Sequence, residues 1–210
     1  MIDLEEVGDG ARAYFERKNQ ARERALSVSR EVVRSSANTI RALHRNDLPQ
    51  ADTLLEKTAQ AAGELAMYAA QHPDIYFTGF VQDALKEYAE AATTRAILIG
   101  EPLPPPEELG VGFVPYLNGL GETVGELRRH LLDCLRRGDV ERAEDILPVM
   151  DDICNLLVTI DYPEAMTGGL RRTTDAQRAT VERTRGDLTI AVRQRDLELA
   201  LRQAESRASG

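Results

Sequence analysis

The stretch Leu117-Asn118-Gly119-Leu120-Gly121-Glu122-Thr123-Val124-Gly125-Glu126-Leu127-Arg128-Arg129-His130-Leu131 decides the fold class. At 3.6 residues per turn, Leu117, Leu120, Val124, Leu127 and Leu131 fall within an arc of about 80°, the stripe of a helix with one face turned inward. The predicted helix runs from Pro115 to Arg137. Gly138 ends it, and Asp139 caps a fifth helix that continues to about Ile160.

The same spacing recurs outward in both directions. A first helix is expected from about Gly10 to Arg45, ended by Asn46-Asp47-Leu48-Pro49. A second runs from about Pro49 to Gln71, its apolar side made of Leu54, Leu55, Ala61, Leu65 and Tyr68. Pro73 opens a third that reaches Ile99, with Phe77, Phe80, Val81, Ala84, Leu85 and Tyr88 on one side. Glu101–Gly112 holds four prolines, so about 101–113 reads as a connecting loop. Asp161-Tyr162-Pro163 breaks the chain again, and Glu164–Ala204 reads helical despite Gly168-Gly169, with a frayed tail at about 205–210. Alternating strand patterns are missing. The expectation is an all-α fold: residues 1–210 as a single domain, a bundle of about seven helices.

Composition narrows the class without giving a function. The 210 residues are 42% hydrophobic, enough for a core, and two cysteines cannot staple a chain of this size. No apolar run approaches the roughly 18–20 residues that cross a bilayer, and the acidic start Met1-Ile2-Asp3-Leu4-Glu5-Glu6 lacks the order of a secretion signal. A cytoplasmic protein is therefore expected. The net charge is -9, yet only three of the 26 basic residues are lysines (Lys18, Lys57, Lys86). Arginine's planar fork suits carboxylate or phosphate, although a GC-rich genome or a salt-rich cytosol also gives such a bias.

Two predicted helices carry carboxylate pairs. Glu87 and Glu90 are spaced i,i+3 and Glu122 and Glu126 i,i+4, so each pair shares a helix face. Four carboxylates converging from two helices is what a hard divalent cation such as Mg²⁺ or Mn²⁺ requires. With 35 acidic residues in the chain, however, about six i,i+4 pairs arise by chance. Spacing alone thus reads them as a solvated face, with Lys86 beside Glu90 and Arg129 beside Glu126 as ion-pair partners.

The first helix has the opposite decoration. Arg30, Arg34, Arg41 and Arg45 lie within an arc of about 60°, His44 sits at its edge, and Val32, Val33, Ile40 and Leu43 point to the core. Six Arg oppose two Glu between Arg22 and Arg45, a local excess of +4 in an acidic chain. Arg171, Arg178 and Arg185 repeat the theme every seven residues on the last helix. Such stripes suit either a polyanion or acidic partners on neighbouring helices. His44, His72 and His130 form no metal motif, Cys134 and Cys154 read as reduced core residues, and no phosphate loop, nucleophile elbow or dinucleotide fingerprint is present.

Four segments, in order, resemble the translin/TRAX family, in a prokaryotic, archaeal-type form. They are Ile40-Arg41-Ala42-Leu43-His44-Arg45, then Phe80-Val81-Gln82-Asp83-Ala84-Leu85-Lys86-Glu87-Tyr88-Ala89-Glu90-Ala91, then Gly119 to Arg129, and Asp161-Tyr162-Pro163 with Leu170-Arg171-Arg172. The resemblance implies about seven helices per subunit and a hollow eight-subunit shell, here a homo-octamer. Translin-type subunits bind single-stranded RNA and DNA. TRAX-type subunits add an Mg²⁺-dependent endoribonuclease whose acids match Glu87, Glu90, Glu122 and Glu126. All four are filled, with Glu122 where TRAX-type chains can carry Asp. The implied activity is hydrolysis of single-stranded RNA, with those four glutamates as catalytic residues and ligands of Mg²⁺ (Mn²⁺ as an alternative). Arg30, Arg34, Arg41, His44 and Arg45 would be the nucleic-acid contacts. The other reading is a translin-type binder of single-stranded RNA or DNA without catalysis.

Overall fold

Short polar side chains start two of the long helices: Asp47 Oδ1 accepts from the Gln50 amide at 3.2 Å, and Asp139 Oδ1 from the Arg142 amide at 3.1 Å. In this computed structural model, which describes residues 4–208, the segments are α1 (Leu4–His44), α2 (Leu48–Gln71), α3 (Pro73–Tyr76), α4 (Gly79–Ile99), α5 (Pro106–Leu109), α6 (Phe113–Arg136), α7 (Val140–Val158), α8 (Glu164–Thr167) and α9 (Leu170–Ala208). The described residues contain no strand. Six of these helices are long and three are single turns, so the fold is all-α as expected.

Several sequence expectations need correction. The helix expected from Pro73 to Ile99 is two, because Thr78 leaves the helical region (φ -70°, ψ 150°) and α4 restarts at Gly79. The Thr78 hydroxyl donates to the Ile75 carbonyl at 2.6 Å and the Gln82 amide to the Tyr76 carbonyl at 2.9 Å, which satisfies the acceptors freed at the break. Phe77 consequently lies outside α4 and is exposed rather than part of its apolar side. The last segment is also two helices, since Gly168 (φ 62°) and Gly169 (φ 87°) both take left-handed backbone. The proline-rich connection holds one helical turn, α5, closed by Gly110 in the left-handed region. On α1, Val33 is exposed, while Val32, Ile40 and Leu43 are buried. Of the tail expected at 205–210, residues 209–210 lie outside the described residues and α9 is helical up to Ala208.

The long helices pack as a chain of neighbours: α1 on α2 and α4, α4 on α6, α6 on α7 and α9. The core at their centre includes Val32, Leu65, Leu85, Leu120, Leu127, Leu131, Met150 and Leu157. Cys134 and Cys154 are free and buried, as expected. No helix of the described residues is long and apolar enough to cross a membrane.

The contact between α4 and α6 positions everything that follows. It is lined by small residues. A Cβ on Gly119 would stand 2.6 Å from the Lys86 carbonyl oxygen and 2.9 Å from the Glu90 nitrogen, so only glycine lets the two backbones come this close. Thr93 and Thr123, both fully buried, share a hydroxyl hydrogen bond of 2.7 Å across the same seam. The close approach brings the polar flanks of both helices together beside it.

Candidate metal centre and nucleic-acid interface

Glu87 and Glu90 lie one turn apart on α4, and Glu122 follows Gly119 by three residues on α6, on the side that faces α4. One carboxylate oxygen from each of the three lies within 4.8 Å of the other two. All three residues are half-buried. This juxtaposition explains why the helical wheel of α6 alone puts Glu122 opposite the apolar stripe: α6 packs on two sides, and its second, glycine-threonine side faces α4.

The electrostatics follow from crowding. Burial pushes the Glu90 carboxyl up to about 8, and the charges of Glu122, Glu87 and Glu126 push in the same direction. Burial also raises Glu87, against the pull of Lys86. With Glu87 and Glu90 both pushed up by burial, the crowded cluster favours a cation beside it. Their donor set is all oxygen, which fits a hard divalent ion such as Mg²⁺ or Mn²⁺.

Two partners in this cluster were not read from the sequence. Lys86 Nζ donates to Glu122 Oε1 at 2.7 Å and lies 3.5 Å from Glu87 Oε1, rather than pairing with Glu90 along its own helix. Burial pulls the Lys86 ammonium down, but its hydrogen bond to Glu122 and the charges of Glu122, Glu87 and Asp83 outweigh that and leave it raised. His44 is the other. Its side chain is only 4% exposed, its Nε2 donates to Glu126 Oε2, and its Nδ1 is buried with no hydrogen-bond partner. The structure therefore places His44 against a carboxylate, at the edge of an arginine-lined cleft. Glu126 stands next to the triad, near enough for its charge to act on Glu90, but its carboxylate is engaged by α1.

Beyond His44 the surface turns basic. A solvent-open cleft of about 810 Å³ is lined by Arg41, His44 and Arg45 from α1 and by Gly125, Arg128, Arg129, Leu132, Asp133 and Arg136 from α6. Arg41 and Arg45 thus share a cleft with His44, whose Nε2 bonds Glu126. Arg30 and Arg34 are exposed on the same helix, 11 residues back, a displacement of about 16 Å at 1.5 Å per residue. None of the four forms an ion pair among the described residues. The α9 stripe differs, since Arg171 pairs with Asp161 at 2.5 Å and Arg185 with Asp151 at 2.8 Å. The α6 arginines were missed as a group because their convergence with Arg41 and Arg45 depends on the crossing of α1 and α6. Arg128 is tied to Asp187 at 2.8 Å and Arg136 to Asp133 at 3.1 Å, which leaves Arg129 without an ion pair in the cleft.

Known proteins match this chain over most of its length. No family model matches it. Among solved structures, AfC3PO in its complex with duplex RNA superposes with a TM-score of 0.82 at 31% identity, over 89% of this chain and 97% of that one. The crystal structure of AfC3PO gives 0.81, with the same identity and coverage. Apo-NeC3PO shares the fold, with a TM-score of 0.80 at 22% identity over 87% of this chain and 96% of that one. An uncharacterized protein of Methanocaldococcus jannaschii is 26% identical over 193 residues, which is 91% of this chain and 86% of the relative.

Proposed function

The chain belongs to the translin/TRAX family, and from that premise we propose that it is a divalent-metal-dependent endoribonuclease. It binds RNA along the basic cleft and cuts it at Glu87, Glu90 and Glu122. The observation that carries this reading is the triad itself, three carboxylate oxygens within 4.8 Å of one another on two helices, beside a cleft rich in arginine. Chance spacing accounts for pairs along one helix but not for their meeting across a seam that only Gly119 permits.

The roles divide by position. Glu87, Glu90 and Glu122 would hold the ion, and Glu126, oriented by His44, would complete the carboxylate set from the next turn of α6. A bound Mg²⁺ or Mn²⁺ would supply Lewis-acid charge at the scissile phosphate and lower the pKa of a water. Arg41 and Arg45, with Arg129 across the cleft, hold the phosphates on the side of the cluster. Arg30 and Arg34 extend that path along α1. Their charges offset the repulsion between the RNA backbone and an acidic protein.

Single-stranded RNA is the proposed substrate, with single-stranded DNA as a second ligand. AfC3PO is described with duplex RNA, so both strand states belong in the assay. A homo-octameric shell is the proposed assembly. Support comes from exposed apolar side chains near the start of α1 (Leu4, Val7 and Phe15) and in the second half of α9 (Ile190, Leu197 and Leu201).

The test is cleavage of end-labelled single-stranded and duplex RNA with Mg²⁺ or with EDTA, by wild type and by Glu90→Gln. The reading expects internal cleavage with Mg²⁺, none in EDTA, and a loss of about a hundredfold or more in the variant, which should still retard RNA on a gel. Retardation without cleavage under every metal condition would leave a non-catalytic binder. Equal cleavage by both proteins would point to a contaminating nuclease.

A further inference from the structure

The cation nearest the triad is part of the chain. Lys86 Nζ sits 2.7 Å from Glu122 Oε1 and 3.5 Å from Glu87 Oε1, two of the three carboxylates that lie within 4.8 Å of one another. Its side chain is 21% exposed, those of Glu122 and Glu87 33% and 30%, so solvent screens this charge only partly. We infer that Lys86 is a built-in counter-ion of the cluster, which a divalent metal must displace, so that this residue sets the metal affinity of the site. The inference rests on the reading of Glu87, Glu90 and Glu122 as metal ligands.

The ammonium and the metal compete for the same oxygen. An ammonium hydrogen-bonded to Glu122 Oε1 uses a lone pair that an ion coordinated there needs, and its charge repels the incoming ion over a short distance. In the metal-free protein the same ammonium offsets part of the repulsion among the carboxylates, which lets three acids stand together without a ligand. Lysine suits this exchange better than arginine, being a point charge on a flexible four-carbon stem rather than a planar fork. Asp83, one turn earlier on α4 and exposed, offers the displaced ammonium a second carboxylate at i−3. The groups that face Lys86 are therefore Asp83 and Glu87 on its own helix and Glu122 on α6.

The experiment is Mn²⁺ binding, followed by electron paramagnetic resonance and by the rise in Tm on adding Mn²⁺. The proteins are full-length wild type, Lys86→Gln, Lys86→Met, Lys86→Arg and Glu90→Gln. Both neutral variants should bind Mn²⁺ about tenfold tighter or more, as removal of a like charge at this distance implies. They should also melt earlier than wild type without metal and show the larger rise in Tm with it. Lys86→Arg should bind no tighter than wild type. A neutral variant that is folded by circular dichroism and binds Mn²⁺ as wild type does, or more weakly, overturns the inference while wild-type binding lost in Glu90→Gln keeps the metal reading. No Mn²⁺ binding by any of the proteins defeats the metal reading, and the inference falls with it.

Discussion

Glu90 governs how the site responds to pH. Its carboxyl, ordinarily near 4.5, is pushed up to about 8 by burial and by Glu122, Glu87 and Glu126. The folded chain keeps a proton there that the unfolded chain loses above about 4.5, so stability is full at low pH and declines as pH rises toward 8. The slope from this one group is at most about 1.4 kcal/mol per pH unit. Thermal melts of the metal-free protein across that window should show the decline, Glu90→Gln should flatten it, and Mg²⁺ should oppose it because the ion replaces the proton. A decline of equal steepness in Glu90→Gln would assign the effect to other groups. At this scale the sequence was legible in part. The four glutamates could be named from their spacing and the family resemblance. Lys86 at Glu122 and His44 at Glu126 could not, since each bond joins residues on different helices and depends on how closely those helices approach.

The α4–α6 seam is the element on which the site depends. Gly119 permits it: an added Cβ would meet the Lys86 carbonyl oxygen at 2.6 Å, and backbone atoms cannot swing aside as side chains do. Gly119→Ala is expected to destabilise the protein by about 1–3 kcal/mol, the usual cost of overpacking, despite alanine's better helix propensity. It should also weaken Mn²⁺ binding, because the helices that carry the carboxylates must part. Urea unfolding and Mn²⁺ titration of the same sample check both. Gly125→Ala is the contrast: nothing lies within 4 Å of its Cβ position, so it should stabilise α6 by roughly 0.5–1 kcal/mol. The long helices were readable because their stripes repeat over many turns. The breaks at Thr78 and at Gly168-Gly169 were not, since Phe77 continues the apolar spacing in sequence and only the packed structure leaves it exposed.

Across the whole molecule, charge is partitioned. A chain of net charge -9 gathers Arg41, Arg45, Arg128, Arg129 and Arg136 around one cleft. Binding driven by phosphate contacts there should weaken steeply with salt, and each contact removed should reduce the slope of log affinity against log salt by about 0.7 for a single strand. Filter binding of single-stranded RNA should therefore show a smaller slope for Arg41→Ala/Arg45→Ala than for wild type. An unchanged slope would move the RNA to another face. The basic stripe of α1 was visible in the sequence. That the matching stripe of α9 is partly consumed by Asp161 and Asp151, while α6 supplies the opposite wall, became visible only with the helices packed.

If three glutamates from two helices share one divalent ion, anomalous diffraction from crystals soaked in Mn²⁺ will locate it. The expected result is a peak bounded by Glu87, Glu90 and Glu122, with the Lys86 ammonium moved off Glu122. Full occupancy elsewhere, or no peak while Lys86 still bridges Glu87 and Glu122, would contradict it.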